Sequence, residues 1–340
     1  MELAEDSLIN SSWNAVASAF SVGYGGFTNP HNFEKDDFGF NIPNAQLARL
    51  HALLEPDLSL SDSTDTNTIA NTSPYIFSAK SNANPEDNPY YDEAMKGVHQ
   101  KEYTEAARAE LSTLQDDLDC WELVPRPAGK NVLPSTWAFK CKRFPDGRIK
   151  KFKARFCARG DCQIEGIDYF DTWSPVVQWT SVRIIMILSC IFDLKTTQAD
   201  ITAAFVLAHL NQKDEVYINQ PRGFWAPGTT NQSHVLKLKR ALYGLKQSPR
   251  CFFQHLSKHL VMRGLKQSSF DPCLFIGHDV IVIVYVDDIL LYAKTNEPID
   301  ALITKLQSDF QIRKKDSAAG FLGVVIKSTG AVVLPSRNQV

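Results

Sequence analysis

The stretch Val280-Ile281-Val282-Ile283-Val284-Tyr285-Val286-Asp287-Asp288-Ile289-Leu290-Leu291-Tyr292-Ala293 constrains this chain more than any other. It is strongly apolar but falls short of the roughly 20 residues a membrane span requires, and two aspartates interrupt it. Soluble core is the remaining reading: two buried strands joined by a tight turn that carries paired carboxylates. Aspartate favours turns for its own reasons, so the pair alone is compatible with simple turn chemistry. Burying two like charges at a hairpin end is nevertheless costly, and a bound divalent cation removes that penalty.

A third carboxylate stands in a matching setting. In Gln198-Ala199-Asp200-Ile201-Thr202-Ala203-Ala204-Phe205, Asp200 closes a short strand and opens a helix, where N-capping is the alternative reading. Two divalent ions roughly 3.5–4 Å apart need bridging carboxylates from separate strands, and Asp200 with Asp287 supplies that minimum apparatus for in-line phosphoryl transfer.

Charge is unevenly divided. The net charge of -2 combines 12 acidic and 3 basic residues in Met1 to Tyr90, a balance of -9, with +7 in the remainder. Lys140 to Arg159 holds nine basic residues against the single acid Asp146, interleaved with Phe144 and Phe152, which suits a polyanion as well as a solvated face. Seven scattered cysteines form no C-x-x-C pair, and no stretch at the N-terminus has the layout of a signal peptide, so reduced thiols in a non-secreted, membrane-free protein are expected.

The polar leader 1–90 reads as largely disordered linker, although Gly23 to Phe40 sets aromatics among glycines. A helix is expected over Tyr91 to Leu114. Strands Trp137–Phe139 and Ile149–Phe152 flank the turn Pro145-Asp146-Gly147, which makes a basic hairpin. Helices follow at Val182–Phe192, Ala203–Leu210, Pro249–Arg263 and Ile299–Phe310. Strands are expected at Thr197–Ile201, Val216–Gln220, Val235–Lys239, Cys273–Ile276 and Phe321–Lys327. This mixture predicts an α+β fold with helices on one face of an antiparallel sheet.

The ordered segments Trp121-Glu122-Leu123-Val124-Pro125, Lys153-Ala154-Arg155, Gly166-Ile167-Asp168-Tyr169, Trp173-Ser174-Pro175-Val176-Val177, Asp200 to Phe205, Ala241-Leu242-Tyr243-Gly244-Leu245-Lys246-Gln247-Ser248-Pro249-Arg250, Tyr285 to Asp288 and Phe321-Leu322-Gly323 resemble the polymerase motifs of copia-type retrotransposon reverse transcriptases. Each is weak alone; the set in this order is specific, and it runs from about Glu93 to the C-terminus. The sequence departs from the family pattern at Ala199 and in Val206 to Leu210, where a glycine is usual.

The resemblance implies an RNA-directed DNA polymerase with a right-hand palm of ferredoxin-like βαββαβ type. It divides the chain into the leader 1–90, fingers 91–195, palm 196–327 and a truncated thumb connection 328–340. It also implies Asp200, Asp287 and Asp288 as catalytic carboxylates, holding two Mg²⁺ (or Mn²⁺) together with the backbone carbonyl of Ile201. Lys153 and Arg155 are then expected to grip the triphosphate, Phe205 to exclude a 2'-hydroxyl, and Gln247 to contact the incoming nucleotide. Expected partners are an RNA template, a DNA primer, deoxynucleoside triphosphates, and the integrase and RNase H of the same polyprotein, in a cytoplasmic particle or the nucleus. Two rivals are an inactive relic that at most binds nucleic acid and a template-free palm-fold nucleotidyl cyclase. Only 17 residues follow Gly323, too few for a thumb or an RNase H domain.

Overall fold

A computed structural model describes residues 87–144, 146–211 and 213–315, and the backbone alone of 319–321, 324–326 and 332–333. The leader as far as 86, its Gly23–Phe40 segment, the Leu322-Gly323 pair and the thumb connection 328–340, apart from the backbone of 332–333, lie outside the described residues.

The chain opens with α1 (Tyr91–Lys96) and α2 (Gln100–Ser112), so the single helix expected from the periodicity is divided. Gly97 ends α1 in an extended conformation while its N–H donates to the Glu93 carbonyl. A residue without a side chain leaves the helix cheaply at that point. One π-helical turn, Thr113–Asp117, extends α2.

Strands β1 (Trp121–Pro125), β2 (Val132–Leu133), β3 (Ser135–Arg143) and β4 (Ile149–Ala158) follow. β3 and β4 form the basic hairpin, which runs well past its predicted length from Arg143↔Ile149 to Ser135↔Ala158. Strict alternation explains the extension: Trp137, Phe139, Ala154, Phe156 and Ala158 point into a core shared with Tyr103, Ala107 and Leu114. Lys140, Lys142, Lys151, Lys153 and Arg155 fall on the opposite face by the same alternation.

Beyond the hairpin come α3 (Trp179–Ile191), β5 (Lys195–Ile201), α4 (Ala204–Leu207), β6 (Tyr217–Ile218) and β7 (His234–Leu238). They are followed by α5 (Ser248–Met262), β8 (Lys266–Gln267), β9 (Leu274–Ile276), β10 (Ile281–Tyr285), β11 (Asp288–Ala293), α6 (Asn296–Leu306) and β12 (Ile312–Lys315). The helix expected at Ala203–Leu210 is only a single turn. Ala203 has φ +56°, and Ala208 is already extended, with its carbonyl accepting from the Ala241 N–H at 2.8 Å. Backbone segments 319–321, 324–326 and 332–333 form a separate three-stranded sheet.

Six strands in the order β12-β5-β11-β10-β9-β8 make one wholly antiparallel sheet. β1, β7, β6 and β2 make a second, in which only β2 and β6 run parallel. Helices cover both faces of the six-stranded sheet, against the expectation of one. Val282, Val284, Ile289 and Leu291 pack on α5 and α6, through Phe252, Leu256, Leu260, Ile299, Leu302 and Ile303. The alternate residues Ile281, Ile283, Leu290 and Tyr292 pack on α3, through Val182, Ile185 and Met186. A strand pair buried on both faces needs near-continuous apolar strands, which 280–285 and 289–293 supply on either side of the Asp287-Asp288 turn. At about 1.5–3 kcal/mol per buried aliphatic side chain, this hairpin is a principal stabiliser of the fold.

Candidate active site

The register of β5 and β11 sets the site. Asp288 lies directly opposite Asp200, so the two carboxylates project from neighbouring strand ends on one face of the sheet. Val286 and Asp287 form the two-residue turn between β10 and β11, and the Ile201 N–H donates to the Asp287 carbonyl at 2.9 Å. That bond pins the hairpin tip to the end of β5. Val286 has φ +53°. A β-branched residue in the left-handed region is strained, and strain of this kind gathers at functional sites.

Electrostatics mark Asp287 out. Partial burial raises its carboxyl pKa above the usual carboxylate value; the charges of Asp200 and Asp288 push the same way, and Arg155 opposes them. The Asp288 carboxylate is held by the Gln198 side-chain amide at 3.0 Å and by the Lys315 ammonium at 2.6 Å. Hard carboxylate oxygens on adjacent strand ends are the donor chemistry a divalent Mg²⁺ or Mn²⁺ ion takes. Among the described residues, however, no three His, Cys, Asp or Glu side chains converge as a ready-made metal centre. Ile201, whose carbonyl the resemblance assigns to the metal shell, is buried and paired in register with Ile312 on β12.

Phe205 is half-buried, with its ring edge-to-face on Tyr243 (centroids 6.0 Å apart) and on Phe252 (6.2 Å). Tyr243 lies under the Arg155 guanidinium, 5.3 Å from ring centroid to Cζ, in cation–π contact. Its hydroxyl pKa is pushed up to about 12, first by burial and then by the negative charge of Glu110. Phe205, Tyr243 and Arg155 therefore form a continuous wall beside the aspartates. Lys153 is on the same hairpin face, and burial together with the neighbouring charges of Arg155 and Lys142 lowers its ammonium pKa. Glu110, from α2, accepts from the Phe156 N–H at 3.4 Å on the outer edge of β4; burial raises its carboxyl pKa, while Lys153 and Arg155 draw it down.

Gln247 is placed differently. Its side chain is 0% exposed, donates to the Asp168 carbonyl at 3.0 Å and accepts from the Gln163 amide at 2.9 Å. Gln163 also accepts from the Lys246 N–H at 2.8 Å. This buried network ties the 243–249 turn to the segment after β4 and leaves Gln247 on the far side of that turn from solvent. Close packing reinforces the tie. The Ala158 N–H donates to the Tyr243 carbonyl at 2.8 Å, and Gly244 (φ +90°) has room for no side chain, because a Cβ would stand 2.1 Å from the Ala158 oxygen.

Tyr243, Glu110, Gln198 and Lys315 stand around the acids and the hairpin face without being expected there from the sequence. Tyr243 lies within the Ala241 to Arg250 motif and is readable there. The basic triplet Arg313-Lys314-Lys315 gave no sign that one member turns toward the acids.

Residues 118–339 match the family model described as reverse transcriptase (RNA-dependent DNA polymerase), and the chain belongs to that family. Its relatives are copia-type retrotransposon polyproteins. It is 32% identical over 239 residues to the retrovirus-related Pol polyprotein from transposon TNT 1-94 of Nicotiana tabacum, covering 69% of this chain and 18% of that protein. It is 34% identical over 212 residues to the Pol polyprotein from transposon RE1 of Arabidopsis thaliana (61% and 14%), and 30% identical over 237 residues to the Ty1-H Gag-Pol polyprotein of Saccharomyces cerevisiae (66% and 12%). The chain thus spans less than a fifth of the length of these relatives. A foamy viral protease-reverse transcriptase solved with double-stranded DNA aligns over 69% of this chain and 35% of its own, at 14% identity and TM-score 0.37.

Proposed function

We propose that this chain carries out template-directed addition of deoxynucleotides to a primer, with an RNA template and Asp200, Asp287 and Asp288 as the acids that hold divalent metal. The observation that carries the reading is the Asp200↔Asp288 register beside the Asp287 turn. A palm assignment is supported by the strand order β12-β5-β11-β10, with α5 between β5 and β10 and α6 between β11 and β12, which is the order of a βαββαβ ferredoxin-like unit.

When bound, a pair of Mg²⁺ ions lowers the pKa of the primer 3'-hydroxyl and stabilises the departing pyrophosphate. The chain's own residues do the rest. Arg155 and Lys153, on the hairpin face beside the acids, offer charge-assisted hydrogen bonds to the triphosphate. Tyr243 holds the Arg155 plane, and Phe205 lies against Tyr243 where the sugar ring would pack. Gln247 serves by locking the turn that carries Tyr243, and its burial replaces the direct nucleotide contact first expected of it. The integrase and RNase H of the same polyprotein are the partners this reading implies.

Primer extension on an RNA template, with Asp287→Asn as control, tests the proposal. Extension by the unaltered chain and loss in the variant is the expected result. Equal signals from both would leave only nucleic-acid binding.

A further inference from the structure

We propose that Lys315 is a built-in counterion of this site, competing with divalent metal for the Asp288 carboxylate. The inference rests on the reading of Asp200, Asp287 and Asp288 as the metal-holding acids. Lys315 ends β12, the edge strand beside β5, and its register partner there is Gln198. Both side chains meet the same atom: Asp288 Oδ1 accepts from Lys315 Nζ at 2.6 Å and from Gln198 Nε2 at 3.0 Å. β5, which also carries Asp200, and its edge neighbour β12 therefore supply one donor each to a single carboxylate oxygen.

An oxygen already engaged by an ammonium and an amide has little lone-pair density left for a metal, and the ammonium's positive charge repels an approaching cation. The Asp288 carboxylate is thereby tied to β12, while Asp287 lies in the hairpin turn. The pair is solvent-accessible, with side-chain exposures of 41% for Lys315 and 27% for Asp288. Exposed pairs are weak, so metal displaces Lys315 at the expense of affinity and is not shut out. Lys315 thereby sets the metal concentration at which the site fills and acts as a positioning residue for Asp288.

The test is a Mn²⁺ titration of the full chain at pH 7 and low salt, reading free aqueous Mn²⁺ by electron paramagnetic resonance. Lys315→Met is expected to bind Mn²⁺ about threefold to fivefold more tightly than the unaltered chain, the range an exposed ion pair supports. Lys315→Arg, which keeps the charge, should retain the original affinity, and in an Asp288→Asn background Lys315→Met should change nothing. Should Lys315→Met fail to fold by circular dichroism, Lys315→Gln takes its place. Asp200→Asn separates the two layers of the argument. If Mn²⁺ binding ignores Asp200→Asn, the metal-site reading fails and this inference with it. If binding depends on Asp200 but Lys315→Met leaves affinity unchanged or lower, the inference alone is overturned.

Discussion

Asp287 shows what partial burial beside like charges demands of one residue. Its carboxyl pKa is raised by partial burial and by Asp200 and Asp288, so the fold favours the protonated form. The sign of the linkage follows. The contribution to stability is fully present below the unfolded carboxyl pKa and is lost as pH rises through the higher folded value, leaving an uncompensated charge at neutral pH. Asp287→Asn is therefore expected to raise the thermal midpoint at pH 7 in the presence of EDTA, with the difference shrinking toward pH 4, while primer extension falls by on the order of 10²-fold or more. Differential scanning fluorimetry across that pH range checks the first part; an unchanged or lower midpoint at pH 7 would contradict the electrostatic account. Phe205 answers a different question, since its ring is held by Tyr243 and Phe252 and not by the core alone. Phe205→Ala removes the bulk expected to meet a 2'-hydroxyl, so ribonucleotide incorporation should rise relative to deoxynucleotide by about 10- to 200-fold, the range that small steric changes in a pocket produce. Single-nucleotide incorporation ratios decide it.

At the scale of elements, the coupling of the hairpin to the 243–249 turn matters most. Gly160 and Gly244 interlock: a Cβ on Gly160 would lie 2.0 Å from the Gly244 oxygen, and one on Gly244 would lie 2.1 Å from the Ala158 oxygen. Backbone cannot yield as a side-chain tip does, and Gly244 also has a positive φ. Gly244→Ala should therefore cost about 2–4 kcal/mol in urea denaturation, combining conformational strain with overpacking. It should also weaken nucleotide binding, because Tyr243 and Arg155 would part; a variant as stable as the original would show that the interlock is slack. Elements were legible in the sequence where periodicity was long and unopposed. The hairpin of 280–293, α5 and the basic hairpin all lie where alternation or helical spacing put them. Ala203–Leu210 misled because its apolar spacing suits a helix, whereas the left-handed Ala203 and the pairing of Ala208 with Ala241 end it after one turn. β12 was missed because Ile312 is the one buried residue of a strand otherwise exposed and basic, a pattern with no apolar alternation to read. Helices on both sheet faces were implicit in the near-continuous apolar strands 280–285 and 289–293, which an antiparallel sheet with one solvated face would not need.

For the whole molecule, three cores underlie the two charged regions. The core around Trp137, Phe156 and Leu236 lies under the cationic hairpin, and the cores on either side of the six-stranded sheet lie under the strands that carry the acids. Asp200, Asp287 and Asp288 stand out in the sequence as acids at the ends of apolar strands, and the register sets Asp288 opposite Asp200; the approach of Lys315 was not legible, because only the fold brings β12 against β5. The distribution of charge makes a further claim measurable. Lys140, Lys142 and Lys151 share the hairpin face of Lys153 and Arg155; Lys140 lies directly opposite Lys153, and Lys142 and Lys151 are further along β3 and β4 from the 243–244 turn, so that together they offer a row of cations to a polyanion backbone. If they contact phosphates, each releases counterions on binding, and log affinity falls with log salt by about 0.7–0.9 per contact. Replacing all three with glutamine should flatten the salt dependence of binding to an RNA–DNA hybrid by about 2–3, measured by fluorescence anisotropy between 50 and 200 mM salt. Because these side chains are exposed and pack in no core, the thermal midpoint should stay within about 2–4 °C of the original. A slope unaltered by the triple change would place the nucleic acid on another face of the molecule, and the role proposed for the basic hairpin would fail.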